Sequence, residues 1–211
     1  MKPYHTLFAG LLALCILCSC EDDNNSWADN YQMDLMDFVT DATGAAVQAI
    51  NDEGELLTID NPVKGLKNDT TYRFVAIYTR KEQHINISQC SQAIAPRPVT
   101  MAEDSIYCDP VSIQSVWKTN NYINATLLIP NKDKKHVIGF VEKSITTNSM
   151  GQKIAHIQLY HDSKQDIAAF NSTAYVSLPL RAYADTLTRG QDSIYLSIKT
   201  IGKNKTFTYQ Y

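Results

Sequence analysis

Few side chains in this sequence stand at spacings that do chemistry. Beyond the N-terminal segment the histidines are His84, His136, His156 and His161. His156 and His161 are five apart in a strand-like run, so they point to opposite faces. No Cys/His spacing suits zinc, no H-E-x-x-H pair occurs, and no acidic loop has the calcium-loop pattern. Asp162 and Asp166 are a carboxylate pair of the kind glycoside hydrolysis uses, but both stand beside turns, where acids are solvated. There is no G-x-S-x-G elbow and no Gly-rich phosphate loop. The expectation is a protein that is not an enzyme, with no catalytic residue, no metal ligand and no cofactor.

The residue with the plainest chemistry is Cys20. It closes the run Leu17-Cys18-Ser19-Cys20 and is followed at once by Glu21-Asp22-Asp23. The pattern resembles a bacterial lipoprotein signal, in which the last Cys of the lipobox is acylated and becomes the first mature residue. Lys2 supplies the positive start, and Leu7 to Cys18 supplies an uncharged, mostly apolar core of about 12 residues, short of the ~20 needed to span a bilayer. Residues 1–19 therefore read as a cleaved signal peptide and 20–30 as a lipidated, acidic tether too polar to fold alone. Glu21-Asp22-Asp23 resembles the acidic signal that sends Bacteroidetes-type lipoproteins to the outer face of the outer membrane. The plainer alternative is a solvated linker.

Loss of 1–19 removes one base, Lys2, and no acid: Lys+Arg falls from 19 to 18 against 22 Asp+Glu, giving −4. That balance, with no basic stripe, excludes nucleic acid as a partner class. Of five cysteines, Cys90 and Cys108 remain once the leader and Cys20 are set aside. In an oxidising compartment they are expected to pair, closing a loop of about 18 residues worth ~3 kcal/mol; two separate buried thiols are the alternative.

The elements that position these groups read as strands. Tyr31-x-Met33-x-Leu35 alternates, and Met36 and Phe38 then change phase as a bulge would. Ala46–Ile50, Glu55–Asp60, Thr70–Thr79 and His84–Gln89 follow, separated by turn residues. In the strongest run Tyr72, Phe74, Ala76 and Tyr78 share one face, and Arg73, Val75 and Ile77 the other. Arg73 is expected either at the barrel mouth or as a salt-bridged edge residue. Five short strands in about sixty residues suit a small barrel such as an OB fold over 31–95. Pro96 and Pro98 mark a linker at 96–105. Seven or so strands then fill 106–211 as an antiparallel β-sandwich, with Lys132–Lys135 as a hairpin turn, Asp166–Phe170 as a helical turn and Trp117 in the core. The fold class is all-β.

Taken together, the lipobox, the tether and the two β modules resemble the NigD-like lipoproteins. The likeness is carried by Glu53-Gly54-Glu55-Leu56, Leu66-Lys-Asn-Asp-x-x-Tyr72-Arg73-Phe-x-Ala, Val111-x-Ile113-x-x-Val116-Trp117, Asn121-Tyr-Ile-Asn124, His136-x-Ile138-x-Phe140-Val141 and Ile157-x-Leu159-x-His161. It implies an outer-envelope lipoprotein of unsettled activity, linked by family name to bacteriocin-associated operons, and supplies no functional residues. The function expected is a non-catalytic, surface-facing binding module for a glycan, a peptide or an envelope protein. The alternative is a structural, assembly or immunity-like accessory. Asp-Ser/Thr-apolar triplets resembling a Bacteroidetes-type O-glycosylation sequon place candidate acceptors at Thr70, Ser105, Thr186 and Ser193.

Overall fold

The computed structural model describes residues 30–211. Five strands form a closed barrel: β1 (Tyr31–Thr40), β2 (Ala46–Asn51), β3 (Leu56–Val63), β4 (Thr71–Lys81) and β5 (His84–Gln92). Their order is β1-β2-β3-β5-β4, with β4 returning to pair with β1. All pairs are antiparallel except β3 with β5, which align Thr58 with His84 and Ile59 with Ile85. This is the OB-fold order, and closure leaves no edge for another chain to extend.

The barrel core is Met36, Phe38, Ala49, Leu57, Phe74, Tyr78 and Ile85, with Phe38 and Phe74 stacked at 4.7 Å between ring centres. Each of the Met, Leu, Ile and Phe side chains, moved from water to the interior, contributes about 1.5–3 kcal/mol. The phase change expected as a bulge in β1 has another cause. β1 and β4 stay in continuous register from Tyr31 opposite Thr79 to Val39 opposite Thr71. Both faces of β1 are apolar: Met36 and Phe38 fill the barrel, while Met33 and Leu35 lie on its outside. The register shift falls later, between Val39 and Thr40 against β2.

The turn from β1 to β2 demands glycine. Gly44 has φ +78°, and a Cβ there would lie 2.2 Å from the Leu66 carbonyl oxygen. Asp41 organises the same turn by accepting from the Thr43 and Ala45 amides.

The second module is a sandwich of two sheets. One has β10 (Phe170–Pro179), β7 (Tyr122–Asn131) and β6 (Ser112–Lys118). The other has β12 (Lys203–Gln210), β11 (Ser193–Thr200), β9 (Lys153–Asp162) and β8 (Val137–Thr147). Its core includes Ile123, Leu127, Ile157, Val176, Leu178, Ile194 and Leu196. β9 and β11 run parallel; the other pairs are antiparallel. The 132–136 stretch is not a hairpin, because β7 and β8 belong to different sheets. It is an arch between layers. Residues 166–169 form no helical turn.

The stretch expected as a linker is seated on the sandwich. Ile94 bridges Val176 of β10, and Val99 bridges Val141 of β8, so the chain leaving the barrel pairs with one strand of each sheet. Tyr31–Tyr211 accordingly forms one compact unit.

Candidate binding groove at the barrel–sandwich seam

The outer faces of β1 and β4 meet the sandwich. Leu35, Val75 and Ala93 pack there with Trp117 of β6 and Tyr175 of β10. Trp117 is therefore a half-buried seam residue rather than part of the sandwich core.

Beside this contact lies a buried polar knot centred on Arg73, which is 5% exposed. Its Nη2 reaches Asp52 Oδ1 at 2.6 Å and its Nη1 reaches Asp37 Oδ1 at 3.4 Å. Across the seam Nη2 donates to Asn124 Oδ1 at 3.3 Å and Nε to Ser177 Oγ at 3.4 Å. Asn124 returns a donation to Asp52 Oδ2 at 3.0 Å, and Tyr122 donates its hydroxyl to Asp37 at 2.9 Å. Burial pushes the Asp52 carboxyl up despite the Arg73 guanidinium beside it. Burial, with Asp37 adding to it, pushes the Tyr122 phenol up to about 12. Arg73 is thus salt-bridged, but inside the seam and not at an edge. Its work is to fix the barrel against the sandwich, since a buried charge persists only where partners surround it.

A groove opens along the same seam. Two clefts of ≈ 370 and ≈ 200 Å³ share Met33, Val75 and Tyr175. The first also has Trp117 on the sandwich side and Asp34, Asp52 and Glu53 on the barrel side. The second continues over Ile77 and Cys90. Met33 is 55% exposed, so an apolar floor is open to solvent. Concave, aromatic-walled and bounded by a few polar groups, this is the form small-ligand and peptide sites take. A further cleft of ≈ 460 Å³ is lined by Tyr72, Arg73, Ile94, Tyr122 and Arg181.

A second polar cluster ties the 132–136 arch to β9. His161 Nδ1 lies 3.0 Å from the Asp109 carbonyl, which can only accept, so this nitrogen carries the proton. His161 Nε2 then accepts from His136 Nδ1 at 2.9 Å. His136 Nε2 faces Asp166 at 3.3 Å. Burial opposes the Asp166 charge, but the amides of Lys132, Asp133 and Lys134 together with His136 outweigh it and hold the carboxyl well below its usual range. Asp162 is engaged by Lys164 at 2.5 Å. The two acids are therefore loop fasteners, each with its own donors, and not a pair facing one substrate.

Cys20, Glu21, Asp22 and Asp23 lie outside the described residues. Cys90 and Cys108 are free thiols, and the bond expected between them is not formed. Cys90 sits in β5 opposite Ala76, while Cys108 is held beside His161 at the end of β9. Burial pushes both thiols up. Of the candidate glycan acceptors, Ser105 is exposed, whereas Thr70, Thr186 and Ser193 are half-buried. Asp192, which precedes Ser193, is itself buried, its carboxylate taking the amides of Lys153 and Thr188.

Sequence reading missed Asp37, Tyr122, Asn124, Ser177, Met33 and Tyr175 as members of one site. The available signal was that β1 and β4 are apolar on both faces, which means each meets two partners.

Residues 93–211 match the family described as the NigD-like C-terminal beta sandwich domain. A NigD-like immunity protein from Bacteroides caccae is similar in structure, with TM-score 0.70 and 25% identity over 85% of this chain and 96% of that one. A protein from Parabacteroides distasonis, described as a candidate toxin-related protein, is similar at TM-score 0.66 and 16% identity over 86% and 93%. One from Bacteroides fragilis, described as a candidate lipoprotein, is similar at TM-score 0.60 and 14% identity over 86% and 98%. The last two likenesses concern the fold alone. No curated protein matches the chain in sequence.

Proposed function

The chain belongs to the family described as the NigD-like C-terminal beta sandwich domain, and on that premise we propose that it is a lipid-anchored, outer-membrane binding protein that faces the cell exterior and performs no catalysis. Acylation at Cys20 anchors it, and Glu21-Asp22-Asp23 directs it outward. The bound partner lies in the seam groove. The observation that carries this reading is the groove itself, with Trp117 and Tyr175 as walls over the exposed Met33 floor. Non-catalytic action is supported by the polar groups near it. Arg73, Asp37 and Asp52 are held in a buried knot that ties the two modules together, and burial keeps the two thiols protonated and poorly nucleophilic.

Two measurements test this reading. Cys20→Ala should abolish incorporation of a labelled fatty acid, because acyl chains supply the anchoring at ~0.8 kcal/mol per buried CH₂. Neutral residues at positions 21–23 should preserve acylation yet protect the protein from protease added to intact cells. Unchanged digestion would defeat the export role. For binding, an immobilised panel of glycans and peptides should retain the protein, and Trp117→Ala should release it; no retention across the panel would overturn the binding role.

A second reading is favoured by the likeness to the protein described as a NigD-like immunity protein: an accessory that protects its producer from a secreted toxin. Deletion of the gene should then sensitise the cells to the toxin, and unchanged sensitivity would argue against it.

A further inference from the structure

The groove has one chemical bias that the fold does not require. Its floor is apolar, with Met33 opposite Ile77 and Val75 next along the same face, and at the wider end it meets acids on the barrel side and two aromatic rings on the sandwich side. We propose that it takes a basic side chain, lysine or arginine, presented by an extended segment of a partner protein. The proposal rests on the binding role assigned to the groove above.

The charges at the wider end do not balance. Arg73 faces two carboxylates, Asp37 and Asp52, and so leaves that knot one negative charge in excess. Asp34 accepts one phenol hydrogen from Tyr78 at 2.7 Å, which satisfies part of its acceptor capacity but none of its charge. Glu53 adds a further acid, with Arg80 (itself paired to Glu55) near it on the barrel, and Lys118, on the sandwich side, is the base that lines the same cleft. Three acids, Asp34, Asp52 and Glu53, line the cleft against one lysine, and the neighbouring Arg73 and Arg80 each face an acid of their own beyond these three, Asp37 and Glu55, so acids outnumber bases in a concave site where fields are focused.

The shape suits the same guest. Lys and Arg carry a long apolar stem and a charged head. The stem would lie along Ile77, Val75 and Met33, and the head would reach Glu53 beside Trp117 and Tyr175, whose ring faces attract cations; Asp34, whose carboxylate turns to Tyr78 on the barrel side, contributes its charge from behind the floor. A trough made of two joined clefts extends past one side chain. This length favours a segment of chain over a free amine, and the neighbouring residues of that segment would lie over Gln89–Ser91 of β5.

The test uses the mature lipoprotein in detergent micelles with Trp27→Phe, which leaves Trp117 as the single indole of the two in the sequence. Acetylated tripeptides Gly-X-Gly with X as Lys, Arg, norleucine or Glu are titrated against its fluorescence, and maltotriose serves as a neutral sugar. The Lys and Arg peptides should shift the emission saturably and bind about tenfold tighter than norleucine, and added salt should weaken them. Asp34→Asn with Glu53→Gln should bring Lys down to the norleucine level while Trp117→Ala in the Trp27-containing chain removes retention altogether. Norleucine binding as well as Lys, or Lys unaffected by the double substitution, would overturn the basic side chain while leaving a binding groove. Maltotriose alone saturating the signal would do the same and make the partner a glycan. No response to any probe would overturn both this proposal and the binding role.

Discussion

Arg73 of the barrel lies with its guanidinium carbon 4.0 Å from the centre of the Tyr122 ring of the sandwich, and the Tyr122 hydroxyl donates to Asp37, a carboxylate that Arg73 also pairs with. One side chain of each module thus holds the same acid, so neither module can shift without breaking a buried contact. The seam groove is shaped by the two modules together, and its geometry depends on this knot.

Arg73→Ala should cost about 3–5 kcal/mol, because it leaves Asp37 and Asp52 buried without their cation. Tyr122→Phe should cost less, about 1–2 kcal/mol, since Asp37 keeps Arg73 and loses one donated hydrogen bond. Urea unfolding followed by circular dichroism measures both. Equal losses would mean that the single Tyr122 hydroxyl bond to Asp37 matters to the seam as much as the Arg73 ion pairs.

Gly44→Ala should destabilise the barrel by more than ~1 kcal/mol. The backbone is left-handed there, and the new Cβ would meet the backbone Leu66 oxygen at 2.2 Å, which no side-chain rotation relieves. Gly54→Ala is the control: its φ is also positive, at +90°, but nothing lies within 4 Å of the added carbon. A smaller loss at Gly54, read as denaturation midpoints, separates the clash from the backbone strain common to both.

Stability should fall as the medium is acidified from neutrality. Burial holds the His161 imidazole below its ordinary value, against the Asp109 carbonyl, Asp109 and Asp162, which pull it up; His136 adds to the lowering. Folded protein then binds fewer protons than unfolded chain, so this contribution is whole above pH ~6.5 and is lost as pH falls through the folded value. Asp166 adds a further loss at lower pH. Its depressed carboxyl stabilises above pH ~3.9 and ceases to do so as it protonates. Thermal melts between pH 4 and 8 should show the upper slope flattened by His161→Gln. A parallel profile in that variant would assign the slope to other groups.

Denatured, unreduced mature protein should take up two alkyl groups from iodoacetamide, at Cys90 and Cys108, by intact mass. In the folded protein both should react slowly, because burial disfavours the thiolate. No uptake before reduction would restore the disulfide.

The strands were legible in the sequence because a strand's signal is local. Alternation at a period of 2 in Tyr72–Tyr78 or Ser193–Ile198 identifies both a strand and its two faces. Five such runs followed by seven gave the barrel and the sandwich. Tertiary structure alone decided what each outward face meets. The double-sided apolar pattern of β1 and β4 demanded a partner without naming it, and Met36 and Phe38 looked like a bulge for that reason. Lys132–Lys135 has turn composition whether its flanking strands pair or part into separate sheets. The knot joins Asp37, Arg73, Tyr122, Asn124 and Ser177, residues as far as 104 positions apart within one hydrogen bond. A polar residue in a strand carries no local mark of whether water or a distant side chain will satisfy it. Burial at the seam made that choice, and with it placed Trp117 and Tyr175 over the groove.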